Sequence, residues 1–118
     1  VYEEAAAAPA PDLAPPPDQG TQAGARSEYS EREILGIIEG AARQYGQNPN
    51  AMIRVARCES GLNPYAVGAG QYYGLFQFVP STFAGTPYGD ADIFDPVANA
   101  NAAAWMWEQG RKGEWVCQ

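Results

Sequence analysis

The chain has 118 residues and a net charge of −7, from fourteen acids and seven bases, and it contains no histidine. Zinc sites and histidine-activated nucleophiles lose their usual group, so no metal or other cofactor is expected and chemistry must run on carboxylates. Five acids and one base precede Ser30, which leaves −3 on the remainder, a balance that excludes nucleic acid as the expected partner.

Residues 1–29 hold five of the ten prolines, the Ala5 to Ala8 and Pro15 to Pro17 runs, and few large aliphatic side chains. Such a segment cannot bury enough apolar surface to offset the entropy of ordering, so it is expected to be a disordered Ala/Pro-rich linker, leaving 30–118 as the folded domain. The sequence begins at Val1 with no charged or apolar leader, which places any export signal outside it. No stretch has the length and apolarity of a bilayer span.

Within the domain, Ser30-Glu31-Arg32-Glu33 has the spacing of a capping box, and Ile34, Leu35, Ile37, Ile38, Ala41, Ala42 and Tyr45 follow at helical period until Gly46. Asn48-Pro49 supplies a second cap with proline in the first turn. Met52, Ile53, Val55 and Ala56 predict a short helix from there to about Glu59. Gly61 to Gly74 lacks helical period and reads as a loop with hairpin character. Gly74 to Phe78 is short and apolar, Pro80 to Phe83 begins another helical turn, and Asp95-Pro96 opens a helix running to about Glu108. The expected class is α+β, mainly α.

A glutamate near a helix C-terminus has its charged form disfavoured by the macrodipole, which suits a proton donor. Its bland alternative is a solvated surface charge. Cys58 and Cys117 are open to two readings from sequence alone, a bridge or two buried thiols. A bridge would close a loop of about sixty residues and constrain the unfolded chain by about 4 kcal/mol. Trp105, Trp107 and Trp115 read as core, with one of the two that alternate on a single helix partly exposed.

Cys58-Glu59-Ser60-Gly61, Asn63-Pro64, Gly74-Leu75-Phe76-Gln77-Phe78 and Pro80-Ser81-Thr82-Phe83, taken in order, resemble the soluble-type lytic transglycosylases, relatives of goose-type lysozyme. Asp95-Pro96 followed by Asn99 and Ala103 is similar to that family's D-P-x-x-N helix start. Cys58 directly before the glutamate, Tyr72-Tyr73-Gly74, and Gly113-Glu114-Trp115-Val116-Cys117 look like resuscitation-promoting factors, secreted wall-cleaving domains whose paired cysteines tie the C-terminus to the catalytic helix. The A-Y-N-A-G segment that supplies a tyrosine near the acid in many transglycosylases has no counterpart.

The resemblance implies a lysozyme-like fold with a small loop or hairpin region beside the catalytic helix. It makes Glu59 the catalytic acid, Gln77 a donor to an acetamido or hydroxyl group of the sugar, with a buried amide that satisfies backbone groups as its bland alternative, Tyr72 or Tyr73 a cleft residue, and Cys58–Cys117 a disulfide that fixes the direction of Glu59. Asn99 would brace the loop beside the cleft. The implied partner is the glycan strand of peptidoglycan, cut between N-acetylmuramic acid and N-acetylglucosamine with a 1,6-anhydro product, by a monomeric, secreted or wall-associated enzyme. Two alternatives remain at this stage. Asp90 or Asp92 on the opposite face of the sugar would make a hydrolytic muramidase, and an idle cleft would make a wall-binding module.

Overall fold

The computed structural model describes residues 28–117. The linker expectation for 1–27 lies outside them. Four helices and a two-stranded hairpin follow in order: α1 (Glu31–Gln44), α2 (Pro49–Ser60), β1 (Val67–Gly68), β2 (Tyr72–Tyr73), α3 (Pro80–Ala84) and α4 (Pro96–Glu108), then a 3-10 turn at Lys112–Glu114.

The helix starts arise from the caps. Ser30 Oγ accepts from the Glu33 backbone N–H at 3.1 Å while Glu33 Oε1 accepts from the Ser30 N–H at 2.8 Å, a reciprocal capping box. Tyr29 lies just before this cap and packs against the core, although it belongs by composition to the preceding segment. Asn48 Oδ1 caps Ala51 at 3.1 Å and Asp95 Oδ1 caps Val97 at 3.1 Å, each followed by a proline whose missing N–H would have been an orphan donor there. α2 ends where Gly61 turns left-handed, at φ 66°. α1 ends at Gln44, one turn position before the expected stop, with Tyr45 as its cap and Gly46 left-handed behind it.

α4 is the centre of the molecule. Ala98, Ala100, Ala102, Ala103, Ala104, Met106 and Trp107 are all buried, so the helix is enclosed on nearly every side rather than amphipathic. α1 packs on it and on α2 through Ile34, Ile38, Ala41 and Ala42, a stripe that returns every three to four residues. α2 contributes Ala51, Met52, Val55 and Ala56, and the same stripe continues into Glu59 and Ser60. Of the tryptophans, Trp107 and Trp115 are buried and Trp105 is half-buried at the edge of the core.

The Gly61 to Gly74 segment forms the hairpin. Val67 pairs with Tyr73 and Gly68 with Tyr72, antiparallel. The turn places Ala69 and Gly70 at φ 51° and 72° and returns the Gln71 N–H to the Gly68 carbonyl at 3.1 Å, a left-handed turn that matches strand twist. Tyr73 also exchanges two backbone bonds of 2.9 Å with Phe78, which folds residues 74–78 back under the hairpin.

Gly74 is fixed by space as well as by conformation. Its φ is +83°, and a β-carbon there would collide with Asn99 Nδ2 and lie 2.8 Å from the Ile93 carbonyl. Gly74→Ala should therefore lower unfolding stability by roughly 3 kcal/mol, the sum of left-handed strain and overpacking against backbone. Urea denaturation checks this, and a loss below about 1 kcal/mol would show that the Asn99 contact yields freely.

Candidate active site

Glu59 sits in the last turn of α2 on the core-facing stripe and is wholly inaccessible. Neither carboxyl oxygen has a hydrogen-bond partner of ordinary geometry among the described residues. Burial raises its pKa from 4.5 to about 7, and the backbone N–H of Cys117 pulls it only partway back. A carboxyl buried in an apolar setting holds its proton, because the charged form loses hydration and one backbone N–H returns only part of that loss. The position at a helix C-terminus acts in the same direction.

Ser60, beside it, bonds the end of α2 to the next site segment: its Oγ donates to the Leu75 carbonyl at 2.8 Å and meets the Ala56 carbonyl at 3.1 Å. Asn99, on α4, accepts from the Phe76 N–H at 2.7 Å and donates to the carbonyls of Ile93 at 2.8 Å and Tyr73 at 3.3 Å. The brace expected at Asn99 is thus made of three bonds to three separate backbone positions. Trp115 donates its indole N–H to the Phe76 carbonyl at 2.9 Å.

Gln77 is buried and left-handed, at φ 53°. Its Nε2 donates to the carbonyls of Gly74 at 3.1 Å and Ala66 at 3.3 Å, while Oε1 has no partner. The donor role implied by resemblance is therefore not the one its surroundings leave open. The amide N–H groups are committed to backbone, and the free function is a buried acceptor.

The two tyrosines separate by strand parity. Tyr72 faces inward and is buried, whereas Tyr73 is half-buried, with its hydroxyl donating to the Gly70 carbonyl at 3.1 Å. Tyr73 meets Phe94 edge-on at 5.6 Å, and Tyr65 stacks on the same Phe94 at 6.3 Å. Tyr73 and Phe94 line an open cleft of about 480 Å³ with Pro80, Phe83, Ala84, Gly89, Ala91 and Ile93. Phe94 follows a turn-rich stretch with no sequence pattern to mark it, whereas Ser60 stands in the Glu59-Ser60 pair.

Cys58 and Cys117 form a disulfide with their Cα atoms 5.9 Å apart. Asp92 Oδ1 accepts from the Phe94 N–H at 2.9 Å and Asp95 caps α4, so both carboxylates are engaged with local backbone, and Asp90 is exposed.

A small α-dominated domain with a two-stranded hairpin beside a helix that ends in a buried, proton-holding glutamate is the lysozyme-like class. Residues 36–112 match the family described as Transglycosylase SLT domain, and the chain belongs to that family. It is similar to the membrane-bound lytic murein transglycosylase C of Mannheimia succiniciproducens, with 30% identity over 87 residues, 64% of this chain and 24% of the relative. The protein of the same description from Haemophilus influenzae (strain PittGG) is 31% identical over 90 residues, 68% of this chain and 25% of its own length. The chain thus spans about a quarter of the length of these relatives. No solved structure matches it at a significant level.

The raised pKa makes a pH-dependent stability difference. As pH rises from about 4.5 to about 7, the unfolded chain releases the Glu59 proton while the native chain keeps it, so native stability falls across that window. Glu59→Gln cannot titrate. The variant should gain on wild type by about 3 kcal/mol between the two ends of the window, read as the difference in urea unfolding free energy at each pH. A difference that stays constant with pH would show that Glu59 ionises as an ordinary carboxylate.

Proposed function

We propose that this domain is a peptidoglycan lytic transglycosylase, with Glu59 as both acid and base. The observation that carries this reading is the Glu59 carboxyl itself, buried and with its pKa raised by that burial to about 7. Such a group is still protonated where an ordinary glutamate is not, as general-acid chemistry near neutrality requires.

Glu59 gives its proton to the oxygen bridging N-acetylmuramic acid to N-acetylglucosamine, and the C1–O bond breaks. Positive charge develops at C1, steadied by the substrate's own acetamido group or by the site's dipoles. The same carboxyl, now ionised, takes the proton of the muramic acid 6-hydroxyl as that oxygen bonds to C1. One C–O bond breaks and one forms, the proton returns to Glu59, and no water is consumed. Asp92 and Asp95 are each turned toward local backbone through Oδ1, which favours a single-carboxyl mechanism over one that uses either of them, while the exposed Asp90 is the carboxylate that the hydrolytic alternative would need.

The glycan would run along the open cleft lined by Tyr73 and Phe94, with Glu59 and Gln77 beneath the surface beside it and not among its lining residues. Tyr73 and Phe94 offer an aromatic wall for the C–H faces of sugar rings, and Gln77 Oε1 would accept from a substrate N–H or hydroxyl. The Cys58–Cys117 bridge supports the resemblance to resuscitation-promoting factors and, with it, action outside the cytoplasm, secreted or wall-associated. No described helix is long and apolar enough to cross a membrane.

Purified cell wall digested with the wild type should yield muramic acid ends one water lighter than reducing ends, read by mass spectrometry. Glu59→Gln should abolish release in a folded protein. Ordinary reducing ends would make the domain a hydrolytic muramidase. Wall binding without any cleavage by the wild type would make it a binding module. Gln77→Ala should weaken turnover by about 1 to 3 kcal/mol in kcat/KM, the range for one hydrogen bond lost at a buried site.

A further inference from the structure

Glu59 and Gln77 lie eighteen positions apart in sequence on different elements, yet the residue preceding each is fastened to one C-terminal strap. Cys58 is bridged to Cys117. Phe76 accepts the indole N–H of Trp115 at 2.9 Å. Trp115 is completely buried, with edge-on contacts to Phe78 at 5.7 Å and Trp107 at 6.4 Å.

The bonds divide by peptide unit. Ser60 on the Leu75 carbonyl and Asn99 on the Phe76 N–H hold the peptide joining 75 to 76 at both ends. The next peptide joins 76 to 77 and carries the Gln77 nitrogen. Its N–H reaches the Gly74 carbonyl at 3.1 Å, and its carbonyl oxygen is held by Trp115. Rotation of that peptide would swing the Gln77 side chain, which already sits in a left-handed conformation that needs outside support. At the other anchor, Glu59 lies in the last turn of α2, between the Cys58 bridge on one side and Ser60, bonded to the Leu75 carbonyl, on the other.

We propose that Trp115 is a positioning residue: its indole N–H on the Phe76 carbonyl sets Gln77, while the Cys117 bridge of the same strap sets Glu59, so that three residues fix the spacing of acid and amide. The proposal rests on the transglycosylase reading for its kinetic consequence, and on the structure alone for its mechanical one. Since a misplacement of about 1 Å in a reacting constellation costs on the order of a hundredfold in rate, loosening either anchor is expected to act on turnover before it acts on overall fold.

A double-mutant cycle tests the route through Gln77. Well below the melting temperature, Trp115→Phe should lower kcat on wall fragments about tenfold or more, with a smaller change in KM. In the Gln77→Ala background the same substitution should lower kcat less than about twofold, while its effect on melting temperature is the same in both backgrounds. Equal losses of kcat in the two backgrounds would overturn the proposal and leave Trp115 as core alone. Should Trp115→Phe fail to fold, the coupling of the two anchors is read in the wild type by the Trp115 indole N–H exchange rate in NMR. Reduction of the disulfide, at a temperature where circular dichroism shows the protein still folded, should speed that exchange about tenfold or more. Unchanged exchange would overturn the strap as a coupled clamp. Absence of wall cleavage by the oxidised wild type would defeat the enzymatic reading instead, and the exchange measurement would still decide the clamp.

Discussion

Residues 74–78 have almost no regular secondary structure of their own, yet they are the point on which the molecule converges. Five consecutive residues bury Leu75, Phe76, Gln77 and Phe78, and a buried backbone must satisfy its polar groups somewhere. Side chains from three separate elements do so: Ser60 from the end of α2, Asn99 from α4 and Trp115 from the C-terminal strap. Each neutral hydrogen bond contributes only about 1 kcal/mol net, but a partner removed would leave a buried peptide group unpaired at a cost of about 1 to 3 kcal/mol. The segment is thus positioned by the penalty for moving it.

The same logic explains the composition of α4. Alanine at 98, 100, 102, 103 and 104 gives this central helix little side-chain bulk, so neighbouring segments approach its backbone closely and short side chains such as Asn99 can reach them. A larger residue at Gly74 would collide with that amide. Glu59 is buried in this core with desolvation that one backbone N–H only partly offsets. The burial of Glu59 is therefore a liability for folding, and the disulfide on the adjacent residue opposes it by restricting the unfolded chain.

What could be read from sequence was whatever is encoded locally. The caps at Ser30, Asn48 and Asp95 and the prolines behind two of them marked three helix starts, because capping depends on residues within one turn. The burial of Glu59 was also legible in principle, since 52, 55, 56 and 59 lie on one helical stripe and the last member is simply acidic. The assignment of Tyr73 rather than Tyr72 to the cleft was not. In a strand of two residues a register slip of one exchanges the two faces, and only the pairing of Val67 with Tyr73 decides it. Trp115 was legible as core but not as a donor to Phe76, thirty-nine residues away, because no local pattern encodes a contact at that range. The 3-10 turn at Lys112–Glu114 was hidden among glycines that read as breaks.

Gln77 shows how surroundings define a role that identity leaves open. A glutamine side chain has two N–H donors and one carbonyl acceptor, and resemblance alone does not say which end meets the substrate. Here the backbone carbonyls of Gly74 and Ala66 take the donors, which fixes the amide's orientation and leaves Oε1 buried without a partner. An unpaired buried acceptor is unfavourable in the free protein and becomes favourable only when a donor arrives. The Glu59 carboxyl is held protonated by burial, which the Cys117 backbone N–H only partly offsets. On the transglycosylase reading the Gln77 acceptor would meet a substrate N–H or hydroxyl and the Glu59 proton would meet the bridging oxygen, so binding energy from both contacts would go toward orienting the bond to be broken.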